Sequence, residues 1–447
     1  MKIYRWLAVA TIALTVSACF SKKEKNVKID PPVAAKASIY EVYVRNFTPE
    51  GTFKAMIPRL RELKDLGVNT LWLMPIHPVG IENRKGTFGS PYAIKDYMDV
   101  NPEFGTKADF KELVDSCHAN GLHIIIDFVA NHTAWDHPWT KQHPDWYTKD
   151  SLGNFQPPVA DWTDVADLNY ENDSLKEAMT QVLEYWVKEF DIDGYRCDVA
   201  EMVPADWWKT SIDRIKKIKP VLMLAEGADP ELYAAGFDLT YSWDLYHNLK
   251  QVFKGDSATL IPRILSEETA RLPKDALRMR FITNHDETSW DDVPVNLFKS
   301  KEGSKAAFFF SAAMPGIPLL YNGQEVAHPT KMNLFEKSDI LWTANTEIRD
   351  FYTKTLELKN NEPDLRSAAV MFDSSSTKDV LLFHRGQQGA GLFGIVNFRD
   401  TVSTFKVPVA MQGKRFMNLY TGKSVLLEAE LMLLNFEFYL LKEEKAL

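Results

Sequence analysis

The feature that most constrains this chain is a rhythm in its apolar residues. From Ile39 onward, short apolar runs alternate with longer stretches whose apolar residues recur at helical spacing. Residues 38–44 and 69–74 read as strands. Between them Phe53, Met56, Ile57, Leu60, Leu63 and Leu66 line one face of a helix, and Gly67 stops it. Residues 122–129 are almost wholly apolar, as parallel strands covered on both faces tend to be. Further strands are expected at Gly194 and over 221–225, 237–241, 279–283 and 317–321. Repeated strand–helix units of this kind build an α/β fold around a parallel sheet.

Two segments break the rhythm. Residues 133–173 are rich in Trp, His, Pro and Asp and show no sustained period, and a loop that long inside a compact domain usually carries function. From about Asp350 the character of the chain changes, and the helical period largely vanishes after Lys359. Short strands are expected at 380–384, 391–398, 405–409 and 434–440, separated by Gly and Asp, which reads as a small antiparallel β-sandwich. No internal repeat is visible.

Carboxylates recur at the ends of the apolar runs. Asp198 closes Gly194-Tyr195-Arg196-Cys197-Asp198, Glu226 follows Leu222-Met223-Leu224-Ala225, and Asp286 closes Phe281-Ile282-Thr283-Asn284-His285-Asp286. Any one of them could be a helix cap, a common role for Asp at a strand–helix junction. Three together, with Arg196 and His285 beside them, point to one shared mouth. Two carboxyl groups at close range are what glycosidic bond cleavage requires, one to attack or activate water and one to protonate the leaving oxygen. Arg196 and Asp198 are two residues apart, so their side chains leave a strand on the same side.

These motifs, with Asp127-Phe128-Val129-Ala130-Asn131-His132 ahead of them, resemble the four ordered motifs of glycoside hydrolase family 13, the α-amylase family. Ala166-Asp167-Leu168-Asn169 resembles a weaker fifth. The resemblance implies a (β/α)8 TIM barrel over residues 37–350, an inserted domain B at 133–173, and a C-terminal β-sandwich domain at 351–447. It implies a retaining α-glucan hydrolase with Asp198 as nucleophile, Glu226 as general acid and then base, and Asp286 holding hydroxyls of the reacting ring. Tyr92, His132, Arg196 and His285 are implied as substrate-binding groups, while Asp127 and Asn131 are read as architectural. The implied substrates are α-1,4-linked glucans or maltooligosaccharides. A transglycosylase would use the same residues, and a non-catalytic glucan-binding lipoprotein would not need the intact trio.

The sequence also departs from the family pattern. Three and four residues after the nucleophile many members carry Lys-His, where this chain has Glu201 and Met202. The reaction needs no cofactor. Calcium between barrel and domain B would draw on oxygens of Asn131 and of Asp161, Asp164 or Asp167, since hard cations prefer such donors; solvated loop acids are the competing reading, and no residue is assigned to a metal.

The amino terminus reads as an export signal: Lys2 and Arg5, an apolar stretch from Trp6 to Val16, then small residues. Val16-Ser17-Ala18-Cys19 resembles the bacterial lipoprotein box, which makes Cys19 the lipidated residue and residues 19–36 a polar tether. The protein is therefore expected on the cell envelope, with the outer membrane favoured because Cys19 is followed by Phe20 and Ser21. Removing residues 1–18 takes Lys2 and Arg5 with it, so the net charge of −9 becomes −11. That acidic balance argues against nucleic acid as a partner. Only Cys117 and Cys197 remain beyond Cys19, too few for a disulfide scaffold.

Overall fold

The computed structural model describes residues 30, 32–366, 369–386 and 391–444. The expected signal peptide, Cys19 and most of the tether lie outside the described residues, and its last residues, Ala34–Lys36, form a 3-10 turn leading into the barrel.

Eight strands, β1 (Ile39–Val42), β2 (Thr70–Leu73), β3 (His123–Phe128), β4 (Gly194–Cys197), β5 (Leu222–Ala225), β6 (Leu239–Tyr241), β7 (Leu277–Arg280) and β8 (Ile317–Tyr321), close into a barrel in sequence order. All eight pairings are parallel, including β1 with β8. Ile39, Trp72, Ile125, Leu224, Leu239 and Met279 pack the interior, so the barrel is a filled core with its site at one mouth. The seventh strand begins at Leu277, two residues earlier than expected. Arg278 and Arg280 interrupt the apolar run because they face outward, between barrel wall and helices.

Helices cover the outside. Asp173–Phe190 is capped by Asn172, whose side chain accepts from the backbone N–H groups of Ser174 and Leu175, and it buries Leu175, Met179, Leu183 and Trp186. Gly194 enters β4 at φ 146°, where an added Cβ would lie 1.9 Å from the carbonyl oxygen of Leu222, so only glycine lets β4 and β5 approach there. The inserted segment contributes a two-stranded antiparallel ribbon, His132–Ala134 with Val165–Asp167.

The barrel extends beyond the boundary expected at 350. Helix Thr346–Asn361 runs across that position and buries Ile348, Tyr352 and Leu356, with Tyr352 packed 4.7 Å from Phe308 of the preceding helix. The C-terminal layer is a six-stranded antiparallel sheet ordered Val370–Phe372, Val380–Arg385, Leu392–Asn397, Phe438–Glu443, Lys414–Asn418, Lys423–Leu427. A ribbon of Ser403–Lys406 and Glu430–Leu433 lies over it, with Leu382, Ile395, Phe405, Phe416 and Leu433 between. Phe309 stacks on Phe438 at 4.5 Å and joins this layer to the barrel. Cys117 and Cys197 are buried free thiols.

Candidate active site

Asp198 and Glu226 stand one residue beyond the ends of adjacent strands, where Cys197 of β4 is in register with Ala225 of β5. The backbone fixes both. The Asp198 N–H donates to the Phe128 carbonyl at 3.0 Å, and the Glu226 N–H donates to the Cys197 carbonyl at 2.9 Å. Between them Val199 takes φ 35°, a left-handed conformation unusual for a β-branched residue. That turn aims its N–H at Oε2 of Glu226, 2.8 Å away. A strained residue held next to two acids is the kind of outlier that functional sites retain.

Arg196 lies beneath them with no exposed surface and touches three carboxylates. Its Nη1 donates to Oδ1 of Asp198 at 2.9 Å and to both oxygens of Asp127 at 2.9 and 3.0 Å, while Nη2 stands 2.8 Å from Oε2 of Glu226. Nε donates to the Tyr241 hydroxyl at 3.2 Å. The sequence placed Arg196 among substrate-binding groups; wholly buried, it reaches a sugar only through the carboxylates it holds. One guanidinium serves three acids. Burial pushes the Asp198 carboxyl well above the usual carboxylate range despite the opposing pull of Arg196, and neighbouring Glu226, Asp127 and Asp286 add to the rise. Burial raises Asp127 likewise.

Tyr92, His132, His285 and Asp286 all line the same cleft, of about 380 Å³, as Asp198 and Glu226. Tyr92 stacks on His285 with ring centroids 5.3 Å apart, and its hydroxyl is 2.7 Å from Nε2 of His285 and 3.1 Å from Oδ2 of Asp127. The two histidines are opposites. Burial pulls His132 down to about 3, so its imidazole is neutral. Burial also pulls on His285, but Asp286 and Glu41 outweigh it and raise that ring to about 9. His285 bonds Oε1 of Glu41 through Nδ1, and its Nε2 lies 3.5 Å from Asp286. A neutral and a charged imidazole on one ring-sized cleft supply different hydrogen-bond donors.

Sequence reasoning missed several groups here. Glu41 was visible as a lone acid in an apolar strand. Trp72, which donates to Asp127 at 3.3 Å, and Tyr241 read as core residues. On the rim, Lys85, Trp162 and Phe335 come from loops, Trp243 opens the helix Trp243–Lys254 and Trp290 closes the helix His285–Trp290. Glu201, standing where the family often has lysine, accepts from the N–H groups of Ala228 and Asp229 and so braces the turn behind Glu226.

Two of the residues considered for calcium are engaged by Lys85. Asp164 is ion-paired with Lys85 at 2.8 Å, and the same ammonium donates to the Asp161 carbonyl at 3.0 Å. The Asn131 amide nitrogen lies 3.3 Å from Nδ1 of His132. Among the described residues no cluster of three or more His, Cys, Asp or Glu side chains is arranged to hold a metal.

The family description "Alpha amylase, catalytic domain" matches residues 21–162 and 158–377. The α-amylase MalA of Haloarcula japonica is 27% identical over 409 residues, covering 86% of this chain; the chain spans 58% of the length of that relative. Among solved structures, an α-amylase from Lactobacillus plantarum superposes with a TM-score of 0.83 at 32% identity, covering 91% of this chain and 99% of the other. A maltogenic α-amylase, AmyB, from Thermotoga neapolitana gives 0.83 at 29% identity, covering 92% and 99%.

Proposed function

The chain belongs to the α-amylase family, and from that premise we propose that it is a retaining hydrolase of α-1,4-glucosidic bonds in starch-like glucans or maltooligosaccharides. The observation that carries the proposal is the pair Asp198 and Glu226 at the ends of adjacent strands, held by one arginine. Parallel neighbours lie about 4.8 Å apart, which suits the roughly 5–5.5 Å separation of a retaining pair and leaves no slot for an inverting water.

In the first half-reaction a carboxylate oxygen of Asp198 bonds to the anomeric carbon while the glycosidic C–O bond breaks. Glu226 gives its proton to the departing oxygen. In the second, the Glu226 carboxylate takes a proton from water, and the resulting oxygen displaces Asp198 from the sugar. Arg196 orients Asp198 and offsets its charge. Tyr92, His132, His285 and Asp286 hold the ring whose bond breaks, with contacts that strengthen as positive charge develops on it. No step uses a metal.

A sugar hydroxyl could replace water in the second step. A second cavity of about 330 Å³, lined by Ala200, Glu201, Met202, Asp229 and Leu232, is built from the segments that follow β4 and β5 and supports such an acceptor as a secondary reading. A purely glucan-binding role leaves the trio without a purpose.

Anchoring through a lipid on Cys19, at the cell envelope and preferably the outer membrane, completes the proposal. Its basis is the Val16-Ser17-Ala18-Cys19 pattern. Cys19→Ser should free active enzyme from the membrane fraction, and a variant still bound after a high-salt wash would refute the anchor.

The mechanism is tested by proton NMR of the earliest product from a maltooligosaccharide. Double displacement gives the α-anomer first, whereas a β-anomer appearing first would overturn it.

A further inference from the structure

The two ends of the cleft are built differently. The catalytic pair follows β4 and β5, and the barrel order places β1 across the ring from them, flanked by β2 and β8. Over β1 the loop after β2 and the loop after β8 are joined. The Phe88 N–H donates to the Phe335 carbonyl at 3.1 Å, and the Thr87 N–H donates to Oε1 of Glu336 at 2.8 Å. The contact is close enough to exclude a side chain at Gly86, whose φ is 63° and whose added Cβ would fall 2.6 Å from Cβ of Phe335. The same β2 loop is tied to the inserted segment by Lys85, which bonds Asp164 at 2.8 Å and the Asp161 carbonyl at 3.0 Å. Three loops thus form a continuous belt with Lys85 and Phe335 facing the cleft.

The polarity of the substrate follows from the chemistry, and so this inference rests on the hydrolase reading above. Glu226 protonates the leaving oxygen, so the released part departs on the β4–β5 side. The retained part runs past His285 and Asp286, which follow β7, toward the belt. We propose that the belt of residues 85–88, 161–164 and 335–336 closes the glycone end of the cleft, so that the enzyme seats the non-reducing end of its glucan and releases short products from that end.

A belt at that position stops a chain from threading through. Binding there also gives the terminal sugar a neighbour that an internal sugar lacks, namely the Lys85 ammonium among its hydroxyls. Cutting inside long chains is then disfavoured against trimming them.

The test compares two aryl maltoheptaosides, one free and one bridged at O4 and O6 of its non-reducing sugar. The bridged substrate should turn over at least ~10-fold more slowly, as a pocket that fits a terminal sugar rejects added bulk. Glu336→Ala, which frees the Thr87 N–H, should loosen the belt and narrow that gap while keeping turnover of the free substrate. Equal turnover of both substrates by the unaltered enzyme would overturn the closed end and leave the hydrolase reading standing. Failure to cleave even the free substrate would overturn both.

Discussion

Two groups of buried charges sit on either side of the barrel wall. Inside the mouth, Arg196 faces Asp127, Asp198 and Glu226, one cation among three acids. Outside it, between β7 and helix Leu260–Arg271, Arg278 and Arg280 face the single carboxylate of Glu268. All members are almost wholly buried except Glu226, whose side chain is partly exposed to the cleft. Their acids respond in opposite directions. Burial pushes Glu268 up, but Arg280 and Arg278 pull harder and hold it below its ordinary value, helped by the Ser242 hydroxyl at 2.7 Å. Asp198 ends well above its ordinary value because burial outweighs the pull of its shared arginine, and Glu226, Asp127 and Asp286 add to the rise. The outer group is compensated and serves as a fastener between strand and helix. The inner group is left short of positive charge, so a sugar developing oxocarbenium character finds unspent negative potential there.

The largest expected effect breaks the inner group. Asp198→Asn and Glu226→Gln should each lower kcat by at least about a hundredfold, since general acid–base catalysis alone typically contributes about a hundred- to ten-thousand-fold. Neither substitution removes a volume, and each relieves repulsion among acids, so thermal melting should stay level or rise. Either variant keeping more than about a tenth of wild-type turnover would show that the roles are misassigned.

The same substitution in the outer group should do the reverse. Glu268→Gln leaves two buried guanidinium groups without an anion, and breaking a buried ion pair on one side typically costs about 3–5 kcal/mol. Urea titration should show that loss, while kcat measured on the folded fraction stays near wild type. If activity fell as far as stability, the two groups would be one coupled network, and the distinction between fastener and catalyst would fail.

The contrast also bears on what the sequence could disclose. Six of the barrel strands lie within residues expected from apolar runs, and β4 begins at the expected Gly194, because parallel strands buried on both faces have little else to be made of. Asp198, Glu226, Asp286, His132 and His285 were legible because short motifs tie them to strand ends, Tyr92 only by its resemblance to a loop aromatic of the family, and the structure brings all six to one cleft. What stayed hidden had other causes. The displaced start of β7 follows from Arg278 and Arg280, whose charges serve the outer group. Trp72 and Tyr241 look like core side chains until the arginine between them is seen. Lys85, Trp162 and Phe335 sit on loops whose meeting point depends on three-dimensional closure, which no local period encodes.

The smallest expected effect sharpens the picture of the mouth, and it concerns His285. Its folded value of about 9 exceeds the ordinary 6.5, so its proton stabilises the fold. That contribution, on the order of 3 kcal/mol, is fully present below about pH 6.5 and is lost as pH rises through about 9. Loss of the same proton removes a donor from the cleft, so kcat/KM should decline over the same alkaline range. His132, held near 3 by burial, stays neutral throughout and contributes no limb there. Two carboxylates keep His285 charged, Asp286 and Glu41, and only Asp286 is assigned to the substrate. Glu41→Gln keeps a hydrogen-bonding group beside Nδ1 and removes one of the two charges. The alkaline limbs of stability and of kcat/KM should therefore both move to lower pH, by on the order of one unit, with kcat at pH 6 little changed. If both limbs stay in place, His285 is not the group that titrates. If stability moves and activity does not, the His285 proton serves the fold alone, and the inner group is closer in kind to the outer one than its geometry suggests.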